Sequence, residues 1–210
     1  MWAPSLAAVS EGAMPVAAAG LSIIAYLAGS IPSGLILGRL FSGKDVRRSG
    51  SGNIGAANVS RVAGSRVGAL VLVADLLKGL LPVLIARWLS LNPIDLAIIA
   101  GFTVIGHDFS LFLRFKGGKG VATTLGAAAG LALVPASAAA VAWVLIVGVK
   151  RVSAVGSLVS LWLLALFMAV FDQPPEFVCL AFALSVLSVY THRENIARLS
   201  RGDENRVGHA

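Results

Sequence analysis

Between Arg47 and Arg61 the chain reads RRSGSGNIGAANVSR, with Gly50, Gly52 and Gly55 in a G-x-G-x-x-G spacing framed by arginines. Glycines let backbone N–H groups converge on an anion, and arginines neutralise it. In dinucleotide-binding folds the same spacing follows a β-strand and is answered by an acidic residue about 20 residues on. Here it follows a long apolar stretch, and the acid at that distance, Asp75, lies inside another apolar run. The pattern reads as an anion site without a dinucleotide fold. GHDFSLFLRFKGGKGVATT from Gly106 and THRENIARL from Thr191 also combine basic residues with small, hydroxyl or amide groups. GSIPSG precedes the first block, and Ser30, Ser33, Thr123 and Thr124 stand just inside apolar runs. Three separate loops have no packing reason to share this chemistry, so together they can form one anion-binding floor.

Familiar catalytic templates do not fit. Lys119 is followed by Gly120, so GGKGVATT is not a Walker A loop. No spacing of His, Cys, Asp and Glu resembles a zinc site, and no G-x-S-x-G elbow occurs. The H-x-x-x-x-D arrangement of common glycerolipid acyltransferases is missing, since Phe112 and Ala197 stand five residues after His107 and His192.

The elements that must hold these residues are membrane helices. The 210 residues are 57% hydrophobic and 13% charged with a mean hydropathy of +0.87, beyond the roughly 45–50% apolar content of soluble domains. Net charge +7 then reflects loops beside anionic lipid and an anionic substrate rather than nucleic acid. The single Cys179 permits no intramolecular disulfide and reads as a small buried hydrophobe. Apolar runs near 15–40, 67–87, 153–171 and 177–191 read as spans, with shorter ones at 94–106, 121–134 and 136–149. All four basic clusters fall on one side only if 121–149 crosses twice, as a hairpin turning at Pro135. The fold class expected is an all-α polytopic bundle of seven spans, N-terminus out and C-terminus in. Residues 1–14 read as a short extension, or as an over-extended start ahead of Met14. Residues 15–200 form one transmembrane domain, and 201–210 a polar tail.

GSIPSG, DVRRSGSGNIGAANV, DLLKG, GHDFSLFLRFKGGKGVAT and HRENIARL, spread over Tyr26 to Arg201 in that order, resemble the motifs of the bacterial acyl-phosphate:glycerol-3-phosphate acyltransferases. Ala57 where that family more often has Thr, and Ser110 where it usually has Pro, are departures. The resemblance implies an enzyme of the bacterial cell membrane with its site at the cytoplasmic face, a membrane-lipid environment, and no cofactor or metal. It implies acyl transfer from acyl phosphate to the sn-1 hydroxyl of glycerol-3-phosphate, and transient contact with the soluble enzyme that makes the donor.

An acyl phosphate is already activated, so the implied site has to hold two phosphates, align a hydroxyl with the carbonyl and stabilise an oxyanion. Arg47, the three loop glycines and Lys119 suit the phosphates, with Ser33, Lys116, Gly117, Gly118 and Thr123 around them. Ser51, Asn53 and Asn58 can orient hydroxyls or phosphate oxygens. His107 can serve as base, as phosphate ligand or as a structural hydrogen bonder, the last two being favoured; His192, beside Arg193 and Asn195, is similar. The substrate phosphate can accept the proton instead. Glu194 is expected to pair with a basic neighbour. Asp75 and Lys78, one turn apart, read as an ion pair, with phosphate contact by Lys78 as the alternative. The rival class is a transporter for phosphate-bearing anions, which needs polar residues along a path through the membrane. Here they crowd at one face.

Overall fold

The computed structural model describes residues 13–207, so most of the N-terminal extension lies outside the described residues. Among these, the regular elements are helical: α1 (Ala13–Ser30), α2 (Ser33–Ser42), α3 (Ala56–Ala63), α4 (Ser65–Trp88), α5 (Pro93–Asp108), α6 (Val121–Leu131), α7 (Leu133–Lys150), α8 (Ser153–Val170), α9 (Pro175–Thr191) and α10 (Arg193–Arg201). Five stretches are long and apolar enough to cross a membrane, a sixth if the bent pair α9–α10 counts as one, and α6 is a shorter apolar helix. Pro32 interrupts the first of them, ending α1 and opening α2, because proline has no N–H and disfavours helix in the residue before it.

Glycines bring the helices together. Gly29 lies against the backbone of Thr103 and Gly106 against that of Tyr26, so α1 and α5 cross with their backbones in contact. Gly79 meets Thr123 and Ala127, and Gly126 meets Leu76, which brings the backbones of α4 and α6 into contact. The main core gathers Ile99, Leu161, Leu164 and Met168 among α5, α8 and α9. A second core of Val46, Ile54, Val59, Val67 and Val71 lies under the glycine loop. On the outside, large apolar side chains such as Ile24, Leu70, Val144, Leu145 and Phe182 stay exposed, the arrangement of a protein whose solvent is lipid.

The break inside 121–149 falls at Ala132, not at Pro135. Proline is tolerated in the first turn of a helix, where no intrahelical acceptor awaits its N–H, and Pro135 fits the first turn of α7. The arms are unequal, 11 and 18 residues. Arg87, at the end of α4, donates from Nη1 to the carbonyls of Gly130 (2.9 Å) and Leu131 (3.1 Å), which satisfies the end of α6. Cys179 is exposed on α9 rather than buried, since a thiol is apolar enough to face lipid.

Candidate active site

The glycine loop is organised from within. Asp45 caps the 3₁₀ turn Val46–Arg48 by accepting from the Arg47 N–H (3.1 Å). It also accepts from Arg47 Nε (2.9 Å) and Nη2 (2.7 Å), and from Arg39 Nη2 (2.8 Å). The Arg47 fork holds the Asp45 carboxyl well below the usual carboxylate range, and the carboxylate in turn raises the Arg47 pKa. Asn58, buried on α3, donates from Nδ2 to the carbonyls of Val46 (2.9 Å), Asn53 (2.8 Å) and Ser49 (3.2 Å). Its Oδ1 accepts from the Ser51 N–H (2.8 Å). Gly50 and Gly52 have φ of +62° and +71°, and a side chain at Gly50 would strike the Asn58 amide.

Two N–H groups of the expected backbone cradle are used inside the loop. The Gly52 N–H bonds Ser49 O and the Gly55 N–H bonds Asn53 Oδ1, so both are already satisfied. Asn58 likewise holds the loop and has no hydroxyl to orient, because its amide is fully engaged with the backbone. Arg47, Ser51 and Asn53 remain at the accessible side of the loop.

The second block wraps the end of α5. The N–H groups of Gly117 and Gly118 donate to Asp108 O and His107 O, both at 3.0 Å. Gly118 lies against Nε2 of His107, and Nδ1 of His107 is 3.7 Å from Asp75 Oδ1. Asp75 pairs with Lys78 at 2.9 Å, as expected, and Lys78 also donates to Ile31 O (3.0 Å). Both ring nitrogens of His107 thus face protein, which fits a structural role better than proton abstraction. Ser33 and Thr123 are buried, and Lys116 is exposed.

Lys119 turns the other way. Its ammonium donates to Asn195 Oδ1; Asn195 Nδ2 donates to Glu204 Oε1 (2.7 Å), and Arg198 Nε to Glu204 Oε2 (2.8 Å). Burial, reinforced by the charge of Arg198, pulls the Lys119 pKa down to about 8. Burial also lowers that of Arg61 on α3, which feels Glu204 and Arg198, and its buried Nε has no partner. His192 is buried, with Nδ1 2.9 Å from Ser188 O; donating there leaves Nε2 as the acceptor nitrogen. Three cations and one carboxylate from α3, the GGKG loop, α10 and the tail therefore share one half-buried place at the edge of the bundle. Their two surplus positive charges match a phosphate monoester dianion.

Arg193 and Glu194 stand apart from this cluster. Arg193 is exposed, stacked 4.5 Å over the Tyr190 ring and donating to Tyr190 O, so it stands outside this cluster. Glu194 is exposed and unpaired among the described residues; Glu204 is the carboxylate that pairs, because the tail folds back after Gly202. Arg198 and Glu204 were missed by sequence reasoning. Arg198, three residues after Asn195 on a short helix, carried a signal; Glu204, in a polar tail, carried none.

Comparison with known proteins decides the family. A family model described as glycerol-3-phosphate acyltransferase matches residues 19–202. The chain belongs to that family. Similar proteins named glycerol-3-phosphate acyltransferase include those of Geobacter sulfurreducens, 43% identical over 89% of this chain and 95% of that one, and of Myxococcus xanthus, 45% identical over 89% and 97%. The crystal structure of PlsY (YgiH), described as an integral membrane glycerol 3-phosphate acyltransferase in its glycerol 3-phosphate form, superposes with a TM-score of 0.87 at 39% identity, over 91% of this chain and 96% of that one. Its lysophosphatidic acid form gives 0.84 at 37%. The protein is thus an integral membrane acyltransferase.

Proposed function

We propose that this enzyme transfers a fatty acyl group from acyl phosphate to the sn-1 hydroxyl of glycerol-3-phosphate, releasing 1-acyl-glycerol-3-phosphate and inorganic phosphate. The observation that carries the reading is the Lys119–Asn195–Glu204–Arg198 network with Arg61 beside it, a site with surplus positive charge at the bundle's edge. The hydroxyl oxygen attacks the acyl carbonyl carbon, and the carbon–oxygen bond to phosphate breaks. The hydroxyl proton leaves with the phosphate as hydrogen phosphate, so no protein base is required. Lys119 and Arg61 hold phosphate oxygens, Arg47 and Ser51 guide the glycerol end from the loop, and Asn195 keeps the ammonium in place. Preorganised cations of this kind stabilise charge as it develops.

The reading extends to placement. Seven crossings, with α6 and α7 forming the hairpin, put the N-terminus outside and the site at the cytoplasmic face of the bacterial cell membrane. Two contacts support it: Lys119 meets Asn195, and the Val207 N–H donates to Arg151 O (2.7 Å), so basic clusters from three loops share one face. The donor reaches that face from a soluble acyl-phosphate-producing enzyme in transient contact. Purified enzyme in detergent, given glycerol-3-phosphate and acyl phosphate, is expected to release phosphate with no membrane gradient; acyl-CoA in place of acyl phosphate is expected to give no product. Product from acyl-CoA alone would overturn the donor assignment.

A further inference from the structure

The connection from α5 to α6 contains a backbone conformation that side chains avoid. Arg114 (φ 53°, ψ 46°) and Phe115 (φ 61°) stand in succession in the left-handed region, which is unfavourable for a bulky residue. Gly117 and Gly118 follow after Lys116, and neither takes a positive φ, so the strain is not displaced onto the residues that would tolerate it. The turn is held by the Phe115 N–H to Ser110 O (2.8 Å) and by Ser110 Oγ to Ser30 O (2.5 Å).

This conformation presents a particular surface. Phe112 and Phe115 are each 58% exposed, and Leu111 is exposed beside them. Arg114 and Lys116 are exposed and have no ion-pair partner among the described residues, unlike Arg39, Arg47, Lys78, Arg198 and Arg201. No acidic residue occurs between Phe109 and Gly120. The surface continues the exposed stripe Ile98, Phe102 and Ile105 of α5, which points to lipid as its neighbour.

We propose that Leu111–Lys116 is an interfacial lip that seats on acidic phospholipid headgroups, its rings at the acyl boundary and Arg114 and Lys116 on the lipid phosphates. The proposal rests on the reading above that this face borders the cytoplasmic leaflet, whose anionic lipids attract cations next to apolar side chains. Strain at Arg114 and Phe115 is offset when the rings leave water. Because the next residues, Gly117 to Lys119, wrap His107 and reach Asn195, seating the lip also fixes the GGKG loop.

The test uses a Cys179→Ser, Phe115→Cys protein carrying a nitroxide, in phosphatidylcholine vesicles with and without phosphatidylglycerol. The label is expected to be open to oxygen and shielded from a water-soluble nickel chelate, more so with phosphatidylglycerol. In the unlabelled enzyme the acidic lipid should raise kcat/KM by about fivefold, the worth of one basic residue at such a surface. Arg114→Gln should lose that gain; repulsion of the anionic substrates affects both proteins alike, so their ratio isolates the lip. Phe115→Asn puts a residue tolerant of positive φ at the strained position. It should keep or raise thermal stability while losing the gain, whereas a merely structural turn predicts unchanged activity. A label open to nickel in both vesicle types, or an equal gain in Arg114→Gln, would overturn the lip. Shielding that appears only when a soluble acyl-phosphate-producing enzyme is added would overturn it in favour of protein docking. A shielded label on vesicles that release no phosphate would leave the lip standing and defeat the proposed function instead.

Discussion

At the scale of single residues, Lys119 carries the clearest pH signature. With a pKa near 8 it is charged below that value and neutral above it. The Michaelis constant for glycerol-3-phosphate should therefore be flat from about pH 7, where the substrate is a dianion, to about 8 and then climb, approaching ~10-fold per pH unit as each unprotonated lysine loses its hold on phosphate. Initial rates across that range measure it, and a constant value through pH 8 would exclude Lys119 as the phosphate's cation. Stability runs in the opposite sense: the folded state sheds this proton before the unfolded chain does, so the buried charge costs stability below about 8 and that cost disappears as pH rises toward the ordinary lysine value of 10.5. Asn58 makes a different prediction. Asn58→Ala strands three carbonyls and one N–H inside the loop, a loss on the order of 4 kcal/mol at the lower end of ~1–3 kcal/mol for each unsatisfied group, visible as a lower midpoint in thermal unfolding. The sequence made Asn58 visible as a polar residue in a glycine loop. It could not reveal that the amide is used up on the backbone, since one partner, Val46, lies 12 residues away. Glu204 was invisible for the same reason, its role depending on how the tail turns after α10.

At the scale of elements, the helices were readable because a run of apolar residues has few alternatives in lipid. The Asp75–Lys78 pair was readable too, since spacing along one helix suffices. What composition could not fix was the end of α6, which depends on a side chain 43 residues away in sequence. Arg87→Leu leaves the carbonyls of Gly130 and Leu131 without their donor in an apolar setting, and should lower stability by roughly 1–3 kcal/mol. Arg87→Lys should recover part of it. Where either variant is folded, the Michaelis constant for glycerol-3-phosphate should match wild type, because Arg87 and the cationic cluster are at opposite ends of the bundle. A changed constant in a fully folded Arg87→Leu enzyme would mean that α6 transmits strain along its length to the GGKG loop.

At the scale of the whole molecule, the arrangement of basic clusters predicts sidedness. In a Cys179→Ser background, Leu133→Cys beside the break should react with an impermeant thiol reagent from the exported side, and Lys150→Cys should not. Equal protection, or the reverse pattern, would rule out the hairpin. The charge pattern argues for this topology from sequence alone, but it could not fix the register of the break, because proline suits both a turn and a helix's first turn. The tail has a consequence of another kind. Glu204 and Val207 come after all ten helices, yet Glu204 bonds Asn195 and Arg198, and Val207 bonds Arg151. During synthesis, then, the cationic cluster stays incomplete until the ribosome has delivered every span. A nascent chain whose last helix has not formed carries Asn195 and Glu204 away from Lys119, so on the proposed reading catalysis waits for assembly to finish. Translation stopped after Arg201 should yield a protein that reaches the membrane and stays inactive, and full activity from that shorter chain would show that the cluster closes without its final carboxylate.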